Sequence, residues 1–403
     1  MGALSNLKVV EYSQFTSGPY CAKLLADLGA EVIKIEPPGL GDKARNWGPF
    51  PQDIPHLEKS GLFLWLNNNK LGVTLNLNST AGVKIFQELI RQVDILVEAN
   101  PHKEMERLGL DYENLHQLNP RLVVTSITPF GHTGPYRHFK GCDLVNFNMS
   151  GGAYMNPADG VDNLEQNPPL KAPLHFADFT TGLTAAISTM SAVIARKKSG
   201  LGQHIELSQQ EALAATVRSE LMGYTYEGIL PGRGKGEKKS GAQLYPCKNG
   251  YVMIHALSNA FWPGLVKMMD NPEWTKEEWC KDYVKRSQNF EKVTEMITEW
   301  TRVHTTEEIN QAAIATRIPS SPVRTVKDLL TDEQLTARDF FVEIDHPVMG
   351  KLKCLGAPYK LSATPWTIKR PAPLLGEHNE QVYCQRLGYS RQDLVKLRQA
   401  GVV

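Results

Sequence analysis

Asp178 is the residue of this chain best placed to do chemistry. It closes the polar stretch KAPLHFAD, and the residues after it, FTTGLTAAISTMSAVIA, are small and apolar with interspersed hydroxyls, the pattern of a helix meant for burial. A carboxylate at that junction faces the positive end of a helix dipole, which keeps it ionised, and backbone N–H groups there can stabilise an oxyanion. Such a carboxylate can serve as a nucleophile. Asp is also favoured at this position as a plain N-cap, so choosing between cap and nucleophile depends on the rest of the chain.

Competing chemistries find less support. Histidines 132, 138 and 175 lie near Asp178 in sequence but form no HExxH or equivalent metal pair, so they read as structural or supporting groups. No GxSxG elbow is present and Cys142 has no compelling histidine partner, which argues against Ser or Cys hydrolysis. Gly39-Leu40-Gly41-Asp42-Lys43-Ala44 fits GxGxxA, yet Pro37-Pro38 precede it and Arg45-Asn46-Trp47-Gly48-Pro49 follow, so it is an irregular loop and not a dinucleotide fingerprint. The glycines at 232, 234, 236 and 241 lack Walker spacing and read as a lid or a solvated linker.

Bulk properties narrow the class further. The 403 residues carry 44 Lys plus Arg against 43 Asp plus Glu, a formal net charge of +1, which supports no nucleic-acid or anionic-membrane partner. Cysteines at 21, 142, 247, 280, 354 and 384 make no CxxC pair and read as reduced thiols. The opening MGALSNLKVVEYSQ has no basic leader or apolar core, and Asn6 stands where a myristoylation signal wants Ser or Thr. Thr181 to Ala195 is too short and too hydroxyl-rich to span a bilayer. A cytoplasmic protein is the expectation.

The elements that must position Asp178 alternate between strand and helix. LKVVEY, EVIKIE, GVTLNL, DILVE, LVVTSI and HIELS read as strands, separated by helical stretches such as YCAKLLADLGA and AGVKIFQELIRQV, the latter capped by Ser79. That alternation predicts an α/β fold with a Rossmann-like parallel sheet covered on both faces, and ligands beyond the carboxyl ends of its strands. A long helix is expected from Gln209 to about Gly228, and a hairpin at 244–256 turning at Asn249-Gly250. The domain reading is a large α/β domain over 1–200, a linker helix over 201–228, a smaller α+β domain over 229–327, and a 328–403 linker and C-terminal segment returning to the large domain.

Several segments together resemble the class III CoA-transferases, the CaiB/BaiF family that includes formyl-CoA transferase and carnitine CoA-transferase. They are LKVVEYSQFTSGPYCAKLLADLGAEVIKIEPPGLGDKARNWG, NNNKLGVTLNL, VDILVEANPHKEMERLGLDYENLHQLNPRLVVTSITPFGHTGPY, ADFTTGLTAA, GQHIELSQQEAL and PAPLLGEHNEQV, which follow in order over nearly the whole chain. The resemblance implies that residues 1–200 bind CoA and that Asp178 is a covalent nucleophile carrying first a mixed anhydride and then a CoA thioester. It implies a CoA thioester as substrate, a small carboxylic acid as the second substrate, no metal and no permanently bound cofactor. Lys70, Arg107 and Lys140 match basic positions that lie around CoA in the family, Asp143 matches a carboxylate near the nucleophile, and Thr16 stands where formyl-CoA transferase has a glutamine beside the thioester. The segment 232–241 is similar in place to the family's active-site glycine loop, with Arg233, Lys235 and Glu237-Lys238-Lys239 interspersed. An interlocked homodimer is implied as well. The family's racemases pair the aspartate with a histidine in a GHD segment because racemisation needs two bases, whereas this chain reads Gly141-Cys142-Asp143. An acyl-CoA racemase or epimerase, with His138 or His175 as the second base, and a non-catalytic CoA-binding protein are the alternatives.

Overall fold

Six short runs rich in β-branched residues form one sheet in the computed structural model, which describes residues 2–157, 161, 163–230, 232–233, 242–255 and 257–403. They are β1 (Lys8–Tyr12), β2 (Glu31–Glu36), β3 (Lys70–Thr74), β4 (Ile95–Glu98), β5 (Val123–Thr128) and β6 (His204–Ser208). Their order is β3-β2-β1-β4-β5-β6, and every neighbouring pair is parallel. Chain direction across the sheet reverses between β1 and β4, so the crevice expected to hold ligand opens beyond the carboxyl ends of those strands.

Alternate side chains of each strand bury on opposite faces. Val9, Val32, Ile95, Val97 and Val123 pack beneath the helices Ser17–Asp27 and Phe176–Ser199. On the other face Val10, Ile33, Ile35, Leu71, Val73 and Leu96 meet the helix Thr80–Ile90 together with Val382, Tyr383, Leu394 and Val402 from the end of the chain. Covering both faces is what makes the strands read as nearly continuous apolar runs.

The chain divides into two compact units. One comprises Met1–Ala158, Pro168–Pro231 and Asp339–Val403 and contains this sheet. The other comprises Asp159–Asn167 and Gly232–Arg338. Within it β7 (Ala242–Cys247), β8 (Gly250–His255) and β9 (Ser320–Pro322) form an antiparallel sheet in that order. Tyr245, Val252 and Ile254 bury there with Leu265, Val293, Ile297 and Ile309 from its helices. The turn at Asn249 is fixed from outside, because its Oδ1 accepts the Thr306 N–H at 2.8 Å.

Two elements differ from the sequence expectation. β3 begins at Lys70, two residues before GVTLNL, because the Lys70 charge is neutralised inside the protein and does not mark a strand end. The helix expected from Gln209 breaks into Gln209–Ala214 and Arg218–Glu227. The β-branched Thr216 and Val217 sit at the break, where the Thr216 hydroxyl bonds back to the Leu213 carbonyl at 2.6 Å.

Candidate active site

The Phe176–Ser199 helix can be buried despite its hydroxyls because those hydroxyls bond back into it. Thr181 Oγ1 donates to the Ala177 carbonyl at 2.8 Å and Thr189 Oγ1 to the Ala185 carbonyl at 2.6 Å. Gly182 lets the start of the Ser17–Asp27 helix come close, since a Cβ there would stand 2.6 Å from the Ser17 carbonyl oxygen. Four helices therefore begin near one another, at Ser17, Asp143, Phe176 and Gln209.

Asp178 lies in the first turn of its helix, third after the N-cap residue His175, and is not itself the cap. The expected cap function is supplied by another stretch of chain, as Asp143 Oδ1 accepts the Asp178 N–H at 3.1 Å. That amide is thus engaged by a carboxylate in this structure and is not free to hold an oxyanion. Asp143 Oδ2 forms an ion pair with Lys171 Nζ at 2.6 Å. The same ammonium donates to the carbonyls of Ala172, at 2.8 Å, and Leu174, which folds the 171–175 loop around it and puts Leu174 in a left-handed conformation, φ 58°. Gln209 Nε2 donates to Asp178 Oδ1 at 3.1 Å and approaches Ser17 Oγ at 3.4 Å, while Asn146 Nδ2 donates to Gln209 Oε1. His175 Nδ1 is 3.8 Å from Asp178 Oδ2, beyond hydrogen-bond range.

Burial dominates the electrostatics. Asp178 is 5% exposed, and desolvation together with the Asp143 charge raises its pKa to about 7, against the lowering contributions of Gln209 and Lys171. The expectation of a carboxylate held ionised by the helix end is corrected accordingly: the group is balanced between its two forms near neutral pH. Burial also pushes the His175 pKa down, so its imidazole is neutral at that pH. Rings pack around it, with Phe15 at 4.9 Å and Trp47 at 5.7 Å between centroids, and Phe179 extends the wall to Tyr20 and Trp65.

The turn carrying Phe15 and Thr16 is held by a buried ion network. Lys34 pairs with Glu11 at 2.8 Å and Asp42 at 2.6 Å, and its ammonium also donates to the Ser13 carbonyl. Asp42 Oδ1 in turn accepts the Phe15 N–H at 2.9 Å, holding Phe15 at φ 72° with its ring against His175. Thr16 is fully buried, and its hydroxyl has no hydrogen-bond partner among the described residues. Lys70 belongs to the same network. Its three ammonium donors go to Glu11 Oε2 at 2.7 Å, the Pro19 carbonyl at 2.8 Å and Asn67 Oδ1 at 2.9 Å, so its charge is spent inside the protein and does not face solvent.

Of the residues singled out in the sequence, Asp178, Asp143 and the turn at Thr16 come together, while the other cations do not join them. Arg107 is exposed at the end of the helix His102–Arg107, bonded to Glu104 and Asn78. Lys140 is exposed in the loop before the Asp143 helix. Gly232 and Arg233 are described, whereas the rest of the glycine-rich segment lies outside the described residues. Lys171, Asn146 and Gln209 were missed. Asn146 stands three residues after Asp143 on one helix face, and Gln209 follows β6 directly at its carboxyl end, which are the signals that point to them.

Asp143, His175 and Asp178 each bring a potential ligand atom within 4.8 Å of the others. Asp143 already holds the Lys171 ammonium at 2.6 Å, so the cluster contains its own cation and a metal ion would have to displace it. What the arrangement can do chemically is present a buried carboxylate, partly ionised at neutral pH, at the meeting of several helix N-termini and behind aromatic rings.

Comparison with known proteins agrees with the geometry. The model of CoA-transferase family III matches residues 4–379. The chain is 29% identical to a succinyl-CoA–D-citramalate CoA-transferase of Chloroflexus aurantiacus, over 99% of this chain and 98% of that protein. It is 31% identical to a formyl-CoA:oxalate CoA-transferase of Rhodopseudomonas palustris, over 100% and 97%. A crystal structure of a CaiB/BaiF family protein from Brucella suis superposes with a TM-score of 0.86 at 28% identity, covering 95% of this chain and 99% of that one. The chain belongs to CoA-transferase family III and is an enzyme of the class III CoA-transferase type.

Proposed function

We propose that this enzyme moves coenzyme A from an acyl-CoA thioester to a carboxylic acid through covalent intermediates on Asp178. The observation that carries the reading is a carboxyl buried among helix N-termini with its pKa near 7 and Oδ2 outside any hydrogen bond to His175.

Oδ2 adds to the thioester carbonyl carbon, and the tetrahedral adduct collapses by breaking the C–S bond, giving a mixed anhydride and CoA thiolate. The thiolate adds to the aspartyl carbonyl and expels the donor acid as a carboxylate, leaving CoA on Asp178 as a thioester. The acceptor carboxylate repeats the sequence in reverse: it displaces thiolate to form a second anhydride, and the thiolate then attacks the acceptor acyl carbon and frees the Asp178 carboxylate. Every nucleophile enters as an anion and every leaving group departs as one, so no proton or electron has to be moved. This suits a site whose nearest imidazole is neutral and not hydrogen-bonded to the nucleophile. Helix N-termini and the Lys171 charge oppose the negative charge of each tetrahedral adduct. The Phe15, Trp47 and Phe179 rings keep water from the anhydride.

Arg107 and Lys140 follow β4 and β5 at the end of the sheet where ligand is expected, and exposed cations there suit CoA phosphates. Thr16 lies against the thioester in this reading. A homodimer fits the exposed row Leu183, Ile187 and Ile194 along the Asp178 helix, whose spacing places them on one side of it. Among the described residues no helix is long and apolar enough to cross a membrane, and all six cysteines are free, both in keeping with a cytoplasmic location. Racemisation is less well served: two bases on opposite faces of a carbon, each about 3 Å from it, stand farther apart than the 3.8 Å between His175 and Asp178.

Turnover with an 18O-labelled acceptor acid tests the route. The reading expects the label in the carboxyl of the Asp178 peptide as well as in the released donor acid. Label in the donor acid with an unlabelled peptide means transfer without the enzyme carboxylate.

A further inference from the structure

We propose that Gln209 is the positioning residue for Asp178, pinning Oδ1 through its side-chain amide so that Oδ2 is the oxygen left to attack. This deepens the transferase reading and rests on it for the identity of the reacting atom.

The amide is held from three sides. Gln209 is 7% exposed as the first residue of its short helix after β6, and its Oε1 accepts from Asn146 Nδ2, itself fully buried. With Oε1 so engaged, Nε2 must point the other way, where it meets Asp178 Oδ1 at 3.1 Å and Ser17 Oγ at 3.4 Å. Oδ1 can accept this bond in either form of the carboxyl, but a bond donated to an ionised oxygen is the stronger one, so the amide favours the anion. The other oxygen faces His175 at 3.8 Å without such a bond. One carboxylate oxygen is therefore fixed by a neutral donor that costs it no charge, and the two oxygens, equivalent in free solution, are made different.

The charged and titratable groups facing Asp178 are Asp143 at the start of the neighbouring helix, and Lys171 and His175 from the preceding loop; Gln209 and Ser17 are neutral. Asp143 and burial favour the protonated form, Lys171 and Gln209 the ionised one. Removing the amide donor must then move the titration of Asp178 upward. A hydrogen bond to an ionised group is strong enough to move it by about one to two pH units.

The test is an isotope-edited infrared titration of the full-length enzyme labelled with 13C-carboxyl aspartate, taking the difference against Asp178→Asn to isolate the one carboxyl. It needs no substrate. Gln209→Met keeps the length and removes the donor, and the midpoint is expected to rise from about 7 in the parent by about one to two pH units. Asn146→Ala, which frees the amide to turn, is expected to move it in the same direction by less, and serves if the methionine variant does not fold. An unchanged midpoint in the folded variants overturns the proposal. The pH profile of kcat/KM separates the two claims: an acid limb moving with the infrared midpoint supports both, and a limb that stays while the midpoint moves leaves Gln209 in place but removes Asp178 as nucleophile.

Discussion

Replacing Asp178 with asparagine should make the protein more stable, and increasingly so as pH rises. The folded-state pKa is about 7 against an ordinary 3.8, so the native state binds the proton more tightly than the unfolded chain. Between those values the native state carries more protons than the unfolded one, and stability therefore falls as pH increases, flattening above about 7. The rise from 3.8 to about 7 corresponds to about 4 kcal/mol in total, of which about 2–3 kcal/mol develops between about pH 5 and pH 8.5. Asparagine keeps the Oδ1 acceptor for Gln209 and the backbone N–H for Asp143, and cannot ionise. Urea unfolding of both proteins at a series of pH values measures the difference. The expected result is a variant advantage that grows across this range. A variant less stable than the parent at about pH 8.5, or an advantage independent of pH, refutes the argument that Asp178 is held at an energetic cost.

Further outcomes follow from the same contacts. Lys171→Met removes a charge that lowers the Asp178 pKa and strands Asp143; kcat/KM at about pH 7 should drop by about fivefold and recover in part at about pH 9, since raising the pKa from about 7 by about one takes the ionised fraction at about pH 7 from about one half to about one tenth. Lys70→Met takes one partner from a fully buried ion pair, so urea unfolding should show a loss of about 3–5 kcal/mol, whereas a loss below about 1 kcal/mol fits a surface charge. Ile187→Glu puts a charge on the exposed apolar row of the Asp178 helix; light scattering after gel filtration should show dimer for the parent and monomer for the variant.

The parallel sheet was legible because most of its strands are short apolar runs and most of the connections carry a helical period, the loop after EVIKIE being the exception; β2 and β6 begin and end where EVIKIE and HIELS do. The nucleophile candidate was legible for a local reason, the change from polar loop to small apolar helix at Asp178. Its surroundings were not, because Ser17, Asp143, Asn146, Lys171 and Gln209 come from separate stretches of chain, and nothing local tells which distant side chain will donate to which oxygen. The helix start was misplaced by the same cause, since Asp143 reaches in to do the capping that a local side chain usually does. Lys70 shows the opposite difficulty. A lysine beside a strand reads as a surface charge, and only the fold brings Glu11 of β1 alongside it and buries both.

The central claim is that Asp178 carries the transferred group, and trapping it is the most direct test. Intact mass and peptide mapping after incubation of the enzyme and of Asp178→Asn with a panel of acyl-CoAs should reveal CoA or an acyl group on the Asp178 peptide, absent from the variant. The donor that leaves the adduct identifies the substrate. No adduct with any donor, together with exchange of the substrate α-proton into deuterated solvent, contradicts the account and points to racemisation.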